Sequence, residues 1–232
     1  PFAHYLAMVR GGWRSLLNDP QVRLFLILAV GLVLLLIWHL MQTGLGFGQA
    51  VRQASFNGVS IMTGTGYVSA NFSAWGGFAT TILLIVMFIG GCGGSTTCGI
   101  KVFRLQVLAS TAKVQISRLL RPHAVVLAYY NKRPVSVEVM DSVMGFFYLF
   151  ILGFVLIAIM LGIAGLDFVT ALSGAATSIS NVGPGLGEVI GADGNFSTLP
   201  DSAKWIMTFA MLLGRLEIFT VLVMLNPAFW QR

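Results

Sequence analysis

The chain has 232 residues, 56% of them hydrophobic and only 9% charged, with 14 Lys and Arg against 8 Asp and Glu and a net charge of +6. A soluble domain carries about 25% charged residues, so this composition excludes a water-soluble fold and makes lipid the solvent over most of the length. In that setting the positive balance reports topology and not a nucleic-acid partner, because Lys and Arg collect in cytoplasmic loops.

The first apolar segment is LFLILAVGLVLLLIWHLM at residues 24–41, after a flank (residues 1–23) that holds Arg10, Arg14 and Arg23. The second begins near Trp75 and runs through GGFATTILLIVMFI into GGCGGSTTCGIK at 90–101. A linker (residues 109–138) follows, then a third segment at 143–166 and a fourth, WIMTFAMLLGRLEIFTVLVML, at 205–225. Each is near the roughly 20 residues that cross a bilayer core. Trp38, Trp75, Trp205, Phe229 and Trp230 at their ends suit the interfacial aromatic belts. Between residues 101 and 137 lie Lys101, Arg104, Lys113, Arg118, Arg121, Lys132 and Arg133 and no acid, and Arg232 closes the chain. Asp167, Glu188, Asp193 and Asp201 fall on the opposite side. Positive-inside orientation therefore puts both ends and the linker in the cytoplasm. The sequence starts at Pro1 without a signal peptide and reads as a fragment.

Each pair of spans encloses a stretch too polar to cross and too apolar for an ordinary loop: AVRQASFNGVSIMTGTGYVSANF and LDFVTALSGAATSISNVGPGLGEVIG. Aligning Gly66 with Gly183, an offset of 117, pairs Ala54 with Ala171, Ser60 with Thr177 and Thr63 with Ser180. The first membrane spans also fall into step at this offset, so the chain is an internal repeat, each unit reading span, short helix, Gly-rich turn, span. The two repeats occupy residues 24–108 and 139–232. Non-helical backbone at membrane depth is tolerated where it lines a water-filled cavity. A helix ending on such a turn aims its partial negative charge inward, and the turn's carbonyls can replace a cation's hydration shell. Thr63, Thr65 and Ser180 can add hydroxyl oxygens. Neither turn carries a carboxylate, which disfavours a divalent ion.

SIMTGTGYVSANFSAWGGF, GGCGGSTTCGIKVFRL, SNVGPGLGEVIG and LLGRLEIFTVLVMLNPAFW, in that order, closely resemble the C-terminal half of the TrkH family, the membrane subunits of bacterial Trk potassium-uptake systems in the TrkH/KtrB/HKT superfamily. The resemblance covers essentially the whole chain. It implies an all-α membrane protein built from span–pore helix–span repeats of a potassium-channel-like pore, four per chain in pseudo-fourfold symmetry, of which this sequence supplies the third and fourth. It implies K⁺ and Rb⁺ uptake, with some Na⁺, across the bacterial inner membrane. It further implies a homodimer, a TrkA-type cytoplasmic ring as regulatory partner, and no cofactor on this chain, nucleotide binding to TrkA alone.

Carried over by position, Thr63, Gly64, Thr65, Gly66 and Tyr67 resemble one filter segment, and Ser180, Asn181, Val182, Gly183 and Pro184 a second, with Pro184 standing where the first has Tyr67. The family also places an intramembrane gate loop below the filter. Gly90, Gly91, Cys92, Gly93, Gly94, Ser95, Thr96 and Thr97 fall there. Glycines expose backbone and permit bending, and the three hydroxyl residues can satisfy the freed groups. Arg215, inside the fourth span, corresponds to a family arginine in the cavity beneath the filter. A buried membrane charge is functional by default; here it raises the barrier to cations and can hold the loop. Glu217, two positions on, points off that face.

GSTTCGIK echoes a phosphate loop but has Ile100 before Lys101 and no hydroxyl after it. Cys92 and Cys98 match no common metal or redox spacing, and His4, His39 and His123 form no ligand pair. An ion-coupled symporter is the competing function; it calls for intramembrane acids or histidines, and only Arg215 and Glu217 lie deep. No catalytic motif of an intramembrane enzyme is present.

Overall fold

A computed structural model describes Leu6, Val9 and residues 18–121, 126–131, 133–216 and 218–230. Most of the expected N-terminal flank, with His4, Arg10 and Arg14, lies outside the described residues, as do His123, Lys132, Glu217 and Arg232.

The first span is helix α1 (Pro20–Gln42), 23 residues and about 35 Å long at 1.5 Å per residue, enough to cross a core of about 30 Å. Its start is set by Asp19, whose carboxylate accepts from the Gln21 and Val22 N–H groups at 2.7 and 3.4 Å, ahead of a proline that needs no N–H partner there. The chain turns at Gly44 (φ 91°) and re-enters as helix α2 (Phe47–Met62). A short 3₁₀ turn, Phe72–Trp75, leads to α3 (Gly77–Met87). Helix α3 stops midway through the second apolar segment. The chain becomes helical again only at α4 (Val102–Leu120), so the interruption expected at the glycine patch is real.

A two-stranded hairpin follows, β1 (Tyr129–Tyr130) antiparallel to β2 (Arg133–Pro134). The second repeat comprises α5 (Val137–Ile163), re-entrant α6 (Phe168–Ser180), one-turn α7 (Gly187–Ile190), α8 (Asp201–Arg215), α9 (Ile218–Leu225) and α10 (Pro227–Trp230). The linker expected at 109–138 thus begins inside α4 and ends in the first turn of α5.

The core falls into two clusters, one centred on each repeat. Leu32, Leu36 and Leu40 of α1 pack with Ile61, Met62, Phe72, Leu83 and Met87. Phe146, Phe150, Ile157 and Leu161 of α5 pack with Ala175, Ile179, Ala203 and Met207. Small residues set the close approaches: a Cβ on Gly58 would lie 3.1 Å from Leu36. Phe88, at the end of α3, joins the cores edge-on, 6.0 Å from Phe150 and 4.9 Å from Phe154. The outward faces of α1 and α5 stay apolar and exposed, with Ile27, Leu34, Leu156 and Ile159 among them, as a lipid-facing surface requires.

Three expectations need correction. Trp75 is buried, 6% exposed, with its carbonyl 2.7 Å from His39 Nε2; it plugs the first repeat and is no belt residue. Trp38, Trp205 and Trp230 are exposed, as a belt requires. The fourth apolar segment does not form one helix: α8 ends at Arg215, and α9 starts at Ile218. Finally, the offset of 117 does not extend to the first spans. Thr43, Gly44 and Leu45 donate to His39, Met41 and Leu40, and Ala164, Gly165 and Leu166, 121 positions on, donate to Met160, Gly162 and Leu161. The second re-entrant helix is shorter, 13 residues against 16, which absorbs most of the difference.

Candidate pore turns and the interrupted span

Helix α2 runs out at Thr63, and the chain then visits left-handed backbone twice, at Gly64 (φ 65°) and Gly66 (φ 77°). Helix α6 ends the same way, at Asn181 (φ 52°) and Gly183 (φ 113°). The hydrogen bonds repeat at 117. Gly64 N–H donates to Ile61 O at 3.1 Å and Asn181 N–H to Ser178 O at 3.2 Å; Thr65 N–H donates to Ser60 O at 2.9 Å and Val182 N–H to Thr177 O at 3.0 Å. Such a turn spends N–H groups on the helix end and leaves the turn's own carbonyls outside the helix ladder. The units diverge one residue later. Gly66 N–H takes the Ser60 carbonyl at 3.3 Å, whereas Gly183 N–H takes the Thr177 hydroxyl at 3.0 Å.

The two turns touch through their second glycines. A Cβ on Gly66 would stand 2.3 Å from the Val182 carbonyl oxygen and 3.2 Å from Pro184 Cδ. Asn181 fills a left-handed position that Gly64 fills in the first repeat, and asparagine is among the few side chains that tolerate it. Its amide donates to the Met211 carbonyl at 3.0 Å, fastening the second turn to α8. Tyr67 is exposed and Pro184 half-buried. Thr63 Oγ1 donates to Val59 O at 2.8 Å and lies 2.7 Å from Thr65 Oγ1. The Ser180 hydroxyl is buried with no partner among the described residues.

The interrupted span closes on itself. Gly90 N–H donates to Ile100 O at 2.6 Å, Ile100 N–H to Phe88 O at 2.9 Å and Val102 N–H to Gly91 O at 3.1 Å, which cinches residues 90–100 into a loop at the α3–α4 junction. A Cβ on Gly90 would lie 2.6 Å from Cys98 O, so only glycine fits this neck. Ser95 Oγ satisfies Cys92 O at 2.7 Å. Thr97 Oγ1 reaches the Thr63 carbonyl at 3.4 Å, so the loop abuts the inner end of the first turn. Thr96 contributes its carbonyl, which accepts from Arg215 Nη1 at 2.8 Å. Cys92 and Cys98 are free thiols, and Cys98 Sγ lies 3.7 Å from the same guanidinium nitrogen.

Below the turns is a cavity of about 220 Å³ lined by Ser95, Thr96, Thr97, Cys98, Gly99, Lys101, Arg104, Phe146, Phe150, Gly214, Arg215 and Ile218. Among the described residues its lining holds three cationic side chains and no carboxylate. Arg104 lies over the Phe146 ring, 3.7 Å from the centroid. Arg215 projects from the C-terminal end of α8, where the helix dipole favours a positive charge. Its position depends on Gly214, whose Cβ would sit 1.9 Å from Ile179 O and 2.8 Å from Asn181 Nδ2. The glycine lets α8 lie directly on the end of α6. At that helix's other end, hydrogen bonds from Thr170 hold the Asp167 carboxyl below its ordinary value.

The sequence singled out the turns, the loop and Arg215; the structure brings the loop and Arg215 to one cavity and joins the first turn to the loop through Thr63 and Thr97. It did not single out Gly214, although a small residue beside a membrane arginine is a packing signal, nor Gln21, whose partner is 72 positions away.

Two membrane-spanning helices, each followed by a re-entrant helix and a glycine turn, define a helical membrane protein of span–pore helix–span construction. Residues 8–232 match the TrkH family of cation transport proteins, and the chain belongs to that family. It is 45% identical over 233 residues to the Trk system potassium uptake protein TrkI of Halomonas elongata, covering 100% of this chain and 47% of the relative. It is 35% identical over 224 residues to TrkH of Escherichia coli K12, covering 94% of this chain and 44% of the relative. The crystal structure of the potassium transporter TrkH from Vibrio parahaemolyticus superposes with a TM-score of 0.89 at 36% identity, over 98% of this chain and 49% of that one. The chain spans about half the length of the curated relatives it matches.

Proposed function

We propose that this chain forms two of the four repeats around a gated, channel-like potassium-uptake pore in the bacterial inner membrane. Residues 63–67 and 180–184 are its filter segments, 90–97 its gate and Arg215 a charge barrier beneath the filter. The observation that carries the reading is the stack of Thr63, Thr97, Thr96 and Arg215. The turn's inner carbonyl, the loop and the cation are joined in series by hydrogen bonds of 3.4 and 2.8 Å.

In this reading a dehydrated K⁺ is held by turn carbonyls at the negative ends of α2 and α6. The loop plugs the path below, and the guanidinium both repels the next cation and holds the plug. The ion leaves inward when the loop releases Arg215. Rb⁺ passes with K⁺, and some Na⁺ is admitted because Pro184 breaks the symmetry of the ring. The remaining two repeats, a second copy of the whole chain and a TrkA-type nucleotide-binding ring complete the assembly, with the basic ends and α4 in the cytoplasm.

The test is ⁸⁶Rb⁺ uptake into liposomes that hold the full-length chain, with K⁺ and Na⁺ as competitors. Deleting residues 90–97 raises basal uptake, and K⁺ competes far better than Na⁺. A deletion variant no faster than wild type removes the gate from the scheme. Uptake that requires a pH or Na⁺ gradient replaces the channel with a coupled symporter.

A further inference from the structure

The glycine loop has a third point of attachment, on the side away from the turns. Gln21 lies in the first turn of α1, half-buried. Its backbone N–H is taken by Asp19, and its side-chain Oε1 accepts from Gly93 N–H at 2.8 Å. Gly93 is shaped for this contact: a Cβ there would stand 3.1 Å from that same oxygen. The neighbouring Pro20 carbonyl accepts from Gln106 Nε2 at 2.8 Å, so the start of α1 also grips α4, the helix that continues from the loop. Helix α4 carries the hairpin. Ser110 Oγ donates to Tyr129 O at 3.0 Å and accepts from Tyr129 N–H at 3.2 Å. The half-buried Tyr130 side chain lies near that of Gln21.

We propose that Gln21 is a positioning residue for the loop: its carboxamide restrains Gly93 and links the loop to the hairpin at Tyr129–Pro134, so that a displaced hairpin loosens the loop. This rests on the reading of residues 90–97 as the gate. The three restraints act on different atoms, the Gly93 N–H, the Thr96 carbonyl and the Thr97 hydroxyl. Gln21 differs from Arg215 in being neutral. Removing Arg215 changes both the restraint and the field in the cavity, whereas removing Gln21 changes the restraint alone.

The experiment uses the full-length chain in liposomes without a partner and compares wild type with Gln21→Leu, Gln21→Glu, Ser110→Ala and the 90–97 deletion. Uptake of ⁸⁶Rb⁺ is measured alongside N-ethylmaleimide labelling of Cys92, which is 8% exposed beside Gly93, in a background where it is the only cysteine. Labelling is read in the three variants that retain it. Gln21→Leu is expected to raise uptake roughly two- to tenfold, the loss of one hydrogen bond, and to speed labelling. Gln21→Glu keeps an acceptor oxygen and stays at wild-type values. Ser110→Ala, which unfastens the hairpin, speeds labelling by a smaller factor; no change there overturns the hairpin link. If the deletion raises uptake while Gln21→Leu moves neither readout, or if Gln21→Leu and Gln21→Glu behave alike, Gln21 does not position the loop and the gate reading stands. If the deletion itself leaves uptake unchanged, the gate reading falls and this one with it.

Discussion

Arg215 donates to the Thr96 carbonyl at 2.8 Å across 119 positions of sequence. The bond ties the last span to the loop that interrupts the second one. A guanidinium in a membrane cavity is costly unless its donors are used, and the loop's carbonyl supplies an acceptor. Charge and loop therefore stabilise each other.

Arg215→Ala should raise ⁸⁶Rb⁺ uptake by roughly tenfold or more, since a hydrogen bond to a charged group contributes about 1.5–3 kcal/mol and a repulsive charge goes with it. Arg215→Lys keeps the charge but loses the planar fork, and should fall between. Uptake at the wild-type rate in an Ala variant with an unchanged melting temperature would remove Arg215 from the barrier.

Gly66→Ala should abolish uptake. The backbone there has φ 77°, which costs a side chain about 1–2 kcal/mol. The new methyl would also meet the Val182 oxygen at 2.3 Å, pushing apart the two turns. The variant is expected to reach the membrane in normal amount, so flux normalised to incorporated protein isolates the effect.

Asn181 does two jobs that substitution separates. Asn181→Gly keeps the left-handed turn and loses the amide bond to Met211 O, for about 1 kcal/mol of stability. Asn181→Ala loses both, for about 2–3 kcal/mol. Thermal unfolding in detergent should rank wild type above Gly above Ala; Gly and Ala variants of equal stability would deny the backbone role.

Asp167 caps α6, accepting from Thr170 N–H at 3.1 Å, and its carboxyl titrates below the ordinary value because of the Thr170 side-chain hydrogen bond first and backbone N–H groups after it. A carboxyl whose folded value is lowered stabilises the fold above its unfolded value, about 3.9, and loses that contribution as pH falls through the folded one. The melting temperature of the wild type should therefore drop further between pH 5 and pH 2 than that of Asp167→Asn, which caps without titrating. Asp167→Ala should cost about 1 kcal/mol at pH 7.

Much of the site was legible because it is local. Gly64, Gly66 and Gly183 mark left-handed backbone at helix ends, and the patch at 90–101 marks a helix that cannot continue. The offset of 117 was readable at the turns, where chemistry repeats, and failed at the first spans, where a shorter α6 shifts the register. Trp75 was misread because an aromatic at a segment end looks the same whether it meets lipid or, as here, packs edge-on against Phe72 at 6.4 Å.

By itself the sequence determined that this chain lives in lipid, that its apolar segments pair around two polar turns, and that a helix breaks at the glycine patch. Those features follow from composition, segment length and glycine's conformational freedom, which need no knowledge of distant contacts. Only the tertiary structure decided that α8 ends at Arg215, that Gly214 seats α8 on Ile179, that Asn181 reaches Met211, and that Gln21, Thr63 and Arg215 hold one loop. Apart from the helix end, each of these is a hydrogen bond or a close approach between residues tens of positions apart. Such contacts exist only once two helical units have packed, and no periodicity along the chain encodes them.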